Sequence, residues 1–250
     1  MEDDFTYVIR KALRGLSLAP GQAASRAGLA ESEVMGLIRG KFSETAARRL
    51  APILSLDPEA LARLPGYQPK PMALSSVERL DIPFEDGQVN AWVIRVDGII
   101  VLFDAGFSEA SIALAFDAAG ISRIDAAFIT HDHRDHVGGL HEVSKRGPLH
   151  PMQPGESVTL GPLTIDAIDL SGHCNDSLGF RIKGLEKPVC VVGDALFAGS
   201  IGGCPPETYE SALGCLRRGV FTLPDETVLL PGHGPATTLG EERISNPFFP

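Results

Sequence analysis

The sequence has no apolar run near the ~20 residues needed to cross a bilayer. It opens on Met1-Glu2-Asp3-Asp4 rather than on the basic and then apolar stretch of a secretory leader. The expectation is a cytoplasmic chain with no membrane partner. Cysteine is scarce: Cys174, Cys190, Cys204 and Cys215 form no C-x-x-C pair. That argues against a zinc knuckle or a disulfide framework and suits reduced thiols. Positive charge is also in short supply, with 22 Lys and Arg against 32 Asp and Glu. The deficit is uneven. Residues 1–66 hold nine basic and eight acidic residues, and the remainder thirteen against twenty-four. An acidic body repels phosphate, so a general nucleic-acid binder is disfavoured and a small-molecule substrate or a metal-centred role is favoured. No internal repeat or low-complexity tract is present.

What is there falls into two textures. Up to about Leu64 the chain is rich in Ala, Leu and Arg and reads as short helices, with Ala24, Ala27, Val34, Leu37 and Ile38 at helical spacing. Gly28, Gly40 and Asp57-Pro58 supply breaks. Pro65 to Pro71 then reads as a linker, because its three prolines oppose both helix and central strand. Beyond it, Val89–Val96 and Ile99–Phe103 are apolar, β-branched runs around Asp97-Gly98, a hairpin signal. Ser108–Ala119 reads as a helix with Ser108 as its N-cap. Further strands are expected at 126–130, 158–160, 163–170, 178–182, 189–192 and 228–230, with a helix at 211–218. The interleaving predicts α/β architecture, mixed sheets covered by helices. Domains are expected at 1–66 and 67–250.

The chemistry concentrates in Thr130-His131-Asp132-His133-Arg134-Asp135-His136-Val137-Gly138-Gly139, a loop after a strand. Three of the seven histidines of the chain lie here, beside two carboxylates. Imidazole nitrogen and carboxylate oxygen are the donors that Zn, Mn or Fe accept, and a cation would organise an otherwise awkward cluster. Three later residues repeat a strand-then-ligand layout next to glycine: His173 after Leu163–Leu170, Asp194 after Val189–Gly193, and His233 after Thr227–Leu230. Cys174, beside His173, reads as a small buried filler.

On these residues the chain from about Leu74 onward resembles the metallo-β-lactamase-fold metallohydrolase superfamily, whose hallmark is T-H-x-H-x-D-H followed by three distant ligands. The glyoxalase II-like branch is the nearer likeness. It is carried by Leu102-Phe103-Asp104-Ala105-Gly106, Ser171-Gly172-His173, Gly193-Asp194-Ala195 and Pro231-Gly232-His233-Gly234-Pro235. The resemblance implies a four-layer αββα sandwich with a small all-α N-terminal domain. It implies two divalent ions, zinc first and iron or manganese as alternatives. His131, His133 and His173 would hold one ion, Asp135, His136 and His233 the other, and Asp194 would bridge. Asp104 would orient a ligand histidine, as carboxylates behind metal sites do. A hydroxide between the ions would be the nucleophile, with Asp135 as the catalytic carboxylate that orients it. Glyoxalase II proper grips glutathione through a C-terminal helical region that has no counterpart before Pro250, and Gly203-Cys204-Pro205-Pro206 replaces its Arg and Asp. A thioester, lactone, phosphodiester or other acyl compound is therefore the expected substrate class. The neighbouring persulfide dioxygenases, with one iron on two histidines and an aspartate, are the alternative.

Ala23–Gly40 resembles the helix-turn-helix of phage-repressor type, with Ala24, Gly28-Leu29, Val34, Leu37 and Gly40 at the small, turn and core positions. Its second helix would turn Glu31, Ser32, Glu33, Met35 and Gly36 to a groove, and two carboxylates facing phosphate are unfavourable. Pro20 occupies the place where the motif has glutamine, and Gln22 is out of register. A packing or homodimerisation module is the favoured reading, ahead of DNA binding through residues 20–41 and of a regulator whose metal domain senses a ligand.

Overall fold

The computed structural model describes residues 1–71, 74–84 and 87–249. The chain begins with five helices, α1 (Phe5–Gly15), α2 (Pro20–Ala27), α3 (Glu31–Ile38), α4 (Glu44–Leu50) and α5 (Pro58–Arg63). Phe5, Val8, Ile9, Ala12 and Leu13 stand at i, i+3, i+4, i+7 and i+8, and α1 buries that stripe. Asp4 caps it, accepting from the backbone N–H of Thr6 at 2.7 Å.

Four strands form the first sheet in the order β1 (Val77–Phe84), β2 (Gly87–Val96), β3 (Ile99–Phe103), β4 (Ala126–Phe128). The β2–β3 turn has both Asp97 and Gly98 at positive φ, the backbone a two-residue hairpin requires. α6 (Glu109–Ala118) carries the chain from β3 to its parallel neighbour β4, and Ser108 caps it as expected. After α7 (Arg134–Val137) and α8 (Leu140–Arg146) the second sheet forms. Its strands are β5 (Ser157–Leu160), β6 (Leu163–Asp169), β7 (Leu178–Lys183), β8 (Val189–Gly193), β11 (Val228–Pro231) and β12 (Thr237–Thr238), in the order β12-β11-β8-β7-β6-β5. Between β8 and β11 come a ribbon, β9 (Leu196–Phe197) and β10 (Ser200–Ile201), and α9 (Pro206–Gly219); α10 (Leu239–Ser245) follows β12. α9 starts five residues earlier than expected from the sequence, because Pro206 opens the helix at a position where no N–H is needed.

The layers follow from which face each strand buries. Trp92, Ile94, Val101, Phe103 and Phe128 of the first sheet meet Ile165, Phe180, Val191 and Leu230 of the second in one inter-sheet core. Outside the first sheet, Ile82, Val93 and Leu102 pack on Ile112 and Phe116 of α6 and Val143 of α8. Outside the second, Cys190, Val192 and Leu229 pack with Tyr209, Leu213 and Leu216 of α9. That is the αββα sandwich. The N-terminal helices join this last cluster: Val8, Ile9, Leu50, Leu54 and Leu61 are fully buried in it together with Leu196, Ile201 and Phe248. The Pro65–Pro71 segment is tied down rather than loose, since the Tyr67 hydroxyl donates to the buried Glu242 at 3.1 Å. No helix among the described residues is long and apolar enough to cross a membrane.

Strand directions place the functional loops. β3 and β4 run parallel, β8 and β11 run parallel, and β6 shares their sense because β6 and β8 are each antiparallel to β7. The loops after these strands open onto the rim where α/β folds bind ligands.

Candidate metal centre

Asp104 follows β3 in a left-handed conformation at φ 64°, which few non-glycine residues adopt. The backbone there turns its carboxylate onto the next loop. Oδ1 accepts from the Thr130 N–H at 2.8 Å, and Oδ2 accepts from the Thr130 hydroxyl and from His136 Nδ1, both at 2.9 Å. With its proton given to Asp104, the Thr130 hydroxyl accepts from His131 Nδ1 at 3.0 Å. His173 Nδ1 donates to the Gly203 carbonyl at 2.8 Å, and His233 Nδ1 to the Gln88 carbonyl at 2.9 Å. All four acceptors lack a proton to return, so Nδ1 carries the hydrogen and Nε2 of each neutral ring offers a bare lone pair.

Those lone pairs converge. His136 Nε2 lies 3.4 Å from Asp194 Oδ1 and 3.5 Å from Asp135 Oδ2. His233 Nε2 lies 3.1 Å from Asp135 Oδ2 and 3.5 Å from Asp194 Oδ2. His173 Nε2 is 3.7 Å from Asp194 Oδ2 and 3.1 Å from His133 Nδ1. Lone pairs facing carboxylate oxygens repel unless something positive sits between them. His131 Nε2, His136 Nε2 and Asp194 Oδ1 are also buried with no hydrogen-bond partner, which normally costs ~1–3 kcal/mol each. The donor set therefore fits divalent cations, and it forms three overlapping groups: His131, His133 and His173; His131, His136 and Asp194; Asp135, His136 and His233. All seven side chains singled out in the sequence meet here.

The electrostatics carry the same message. Burial, reinforced by the neighbouring His136 charge, pushes His131 down to about 4. Burial likewise lowers His173. Burial opposes a proton on His136 as well, yet the Asp104 and Asp194 carboxylates outweigh it and push the ring up to about 11. His233 is pushed up to about 9 against burial by Asp135 and Asp194. Asp194 stays far below the ordinary carboxylate range, because the His136 contact outweighs its burial. The protein wants positive charge between these carboxylates, and a proton takes the place a cation would hold.

Glycines admit the ligands. A Cβ on Gly232 would stand 2.1 Å from Asp194 Oδ1 and 2.6 Å from His136 Cε1. Two supports carry no sequence signature, the Gln88 and Gly203 carbonyls. Thr130 opens the motif itself, and the structure shows its hydroxyl joining Asp104 to His131. Cys174 departs from expectation: it is half-buried, not a core filler, and its thiol donates to Asp132 Oδ1 at 3.1 Å. Partial burial and that carboxylate raise its pKa, so it stays a thiol.

Comparison with known proteins agrees with the fold. The model of the metallo-β-lactamase superfamily matches residues 84–162. A probable metallo-hydrolase of Bacillus subtilis, YqgX, is 25% identical over 198 residues, covering 65% of this chain and 92% of that protein. The chain has the metallo-β-lactamase fold and is similar to the metal-dependent hydrolases built on it. At finer grain it is similar to the hydroxyacylglutathione hydrolase GloC of Haemophilus influenzae, 37% identical over 99 residues, 39% of this chain and 46% of that protein. The match thus spans about half the length of that relative. A solved structure, TTHA1623 in a di-iron-bound form, superposes with a TM-score of 0.52 at 26% identity, over 67% of this chain and 98% of that one.

Proposed function

We propose that the chain is a dinuclear metal-dependent hydrolase of acyl esters or thioesters, similar in chemistry to the glyoxalase II-like enzymes. The observation that carries this reading is the set of inward lone pairs locked by outward Nδ1–H donors. His131, His133 and His173 would hold one ion, and Asp135, His136 and His233 the other. Asp194 approaches both sets, through His173 and through His136 and His233. Bound divalent ions supply Lewis acidity towards a carbonyl and lower the pKa of water towards neutrality. The TTHA1623 structure, with its two irons, supports the count.

The chain's own groups do the rest. Burial would raise Asp135, but the His233 contact and the His136 charge hold it below its ordinary range. It is ionised at neutral pH and can orient water and take its proton. The chain need not attack the substrate itself, because the nearest thiol, Cys174, keeps its proton. A cavity of about 410 Å³, lined by Ile129, Leu140, Leu149, Met152 and Leu178 and touching His131 and Asp132, would take an apolar acyl portion.

Helices α2 and α3 serve in this reading as a packing module. Glu31, Ser32 and Glu33 are the exposed residues of α3, which suits solvent better than phosphate.

The test combines elemental stoichiometry with turnover of a hydroxyacylglutathione thioester and a series of simple aryl and alkyl esters. Two ions per chain and metal-dependent hydrolysis are expected. One iron per chain with oxygen uptake and no hydrolysis would instead make the persulfide dioxygenase reading correct.

A further inference from the structure

The loop that steadies His173 is gripped from an unexpected side. Gly203 offers His173 its carbonyl acceptor, and Gly202 before it has no room for a side chain, since a Cβ would fall 1.8 Å from the Asp194 carbonyl oxygen. Just upstream, Ser200 and Ile201 form β10. Both are held by the N-terminal segment. The Ser200 hydroxyl donates to Asp3 Oδ2 at 2.6 Å, and Lys11 Nζ donates to the Ile201 carbonyl at 2.8 Å. Lys11 also pairs with Asp3. Asp3 is only 6% exposed, so this pair works where water screens it poorly. The Lys11 ammonium further lies 5.1 Å from the centre of the Phe197 ring, which stands 6.0 Å from the His233 ring. The Asn246 amide reaches the Ser200 carbonyl at 2.9 Å and the Gly202 N–H donates to the Ala195 carbonyl at 3.2 Å, so Asp3 and Lys11 complete a set of anchors on both sides of the loop.

We infer that Asp3 and Lys11 are positioning residues of the metal centre: through Ser200 and Ile201 they fix the Gly203 carbonyl, and through it the orientation of His173. The N-terminal helical region is then a working part of the site rather than an appended module. Groups behind a ligand histidine set its rotamer and tautomer, and losing one typically costs about 10–100-fold in metal affinity. A pair one step further back should cost about tenfold.

The inference rests on His173 being a ligand, and the experiment separates the two claims. Metal-free wild type, H173A, K11M, K11R, the charge-neutral D3N/K11M and S200A are titrated with Co²⁺ alone against a competing chelator, with the visible spectrum of the bound ion recorded. D3N/K11M and K11M are expected to bind about tenfold more weakly and to shift the spectrum, with K11R recovering most of both. S200A, which deletes one hydrogen bond and keeps the ion pair, should lose about threefold and gives the answer if the charge variants fail to fold. Wild-type affinity and spectrum in D3N/K11M or S200A, whatever their melting temperatures, would overturn the clamp. Unchanged binding in H173A would overturn the ligand assignment beneath it.

Discussion

The metal rim and the N-terminal helices are built on opposite principles. At the rim, seven polar side chains are drawn from four loops, and four of the histidines are held at Nδ1 by acceptors with no proton free to return. In the helical region, apolar stripes fill a core shared with α9 and the second sheet. At the rim a single atom out of place matters. The helices tolerate change wherever a side chain meets open space. The contrast teaches where chemistry constrains sequence and where packing alone does.

Five substitutions, one of them followed across pH, would break or sharpen that contrast. Asp194→Ala has the largest expected effect: loss of at least one ion per chain and a fall in turnover of about 1,000-fold or more, read by elemental analysis and initial rates. Full activity with one ion would contradict the dinuclear site. Asp104→Asn keeps a residue type that accepts positive φ but removes the charge behind His136. Metal affinity should drop by about 10–100-fold, and the metal-free protein should also melt lower, because His136 loses the carboxylate that holds its proton.

Glu242 tests the seam between the regions. It is fully buried and accepts from Gly199 N, Asn246 Nδ2, Thr237 Oγ1 and Tyr67 Oη, joining the segment after α5 to α10. Burial raises its pKa to about 7 from 4.5, even against those donors. The folded state thus binds the proton more tightly than the unfolded one. Its contribution is fully present below pH 4.5, declines as pH rises through 7, and leaves the folded protein about 3 kcal/mol less stable above that point. Glu242→Gln lacks this titration, so denaturant unfolding should show it gaining about 3 kcal/mol on wild type between pH 4.5 and 8. A constant difference across that range would refute the raised pKa.

The two smallest effects concern helix glycines. A Cβ on Gly15 of α1 would lie 2.3 Å from the Tyr209 ring of α9, so Gly15→Ala should destabilise by about 1–3 kcal/mol. If the helices share one core with the body, its unfolding stays a single transition; a separate early transition would show that they fold apart. A Cβ on Gly36 of α3 would find nothing closer than 3.9 Å. Gly36→Ala should stabilise by about 0.5–1 kcal/mol through helix propensity and a stiffer unfolded chain, seen as a rise in melting temperature.

Much of this was legible in residue order. The His131–His136 spacing and the glycine-flanked His173, Asp194 and His233 mark the rim because metal donors are side chains. Asp97-Gly98 marks the β2–β3 turn because positive φ selects residue types. Strand β1 is harder to see: Glu78, Arg79, Asp81 and Pro83 break the apolar signal, and an edge strand tolerates them because one side of its ladder needs no partner. The Gln88 and Gly203 carbonyls were invisible, since any residue offers one. Nor does an apolar stripe name its partner, so the periodicity of α1 could not reveal Tyr209, Ile201 or Phe248 as neighbours.

Metal content and position, measured together by anomalous diffraction on the loaded protein, test the central claim most directly. Two peaks are expected in each chain, one among His131, His133 and His173 and one among Asp135, His136 and His233, with the Asp194 carboxylate between them. A single peak, or ions bound away from those side chains, would contradict it.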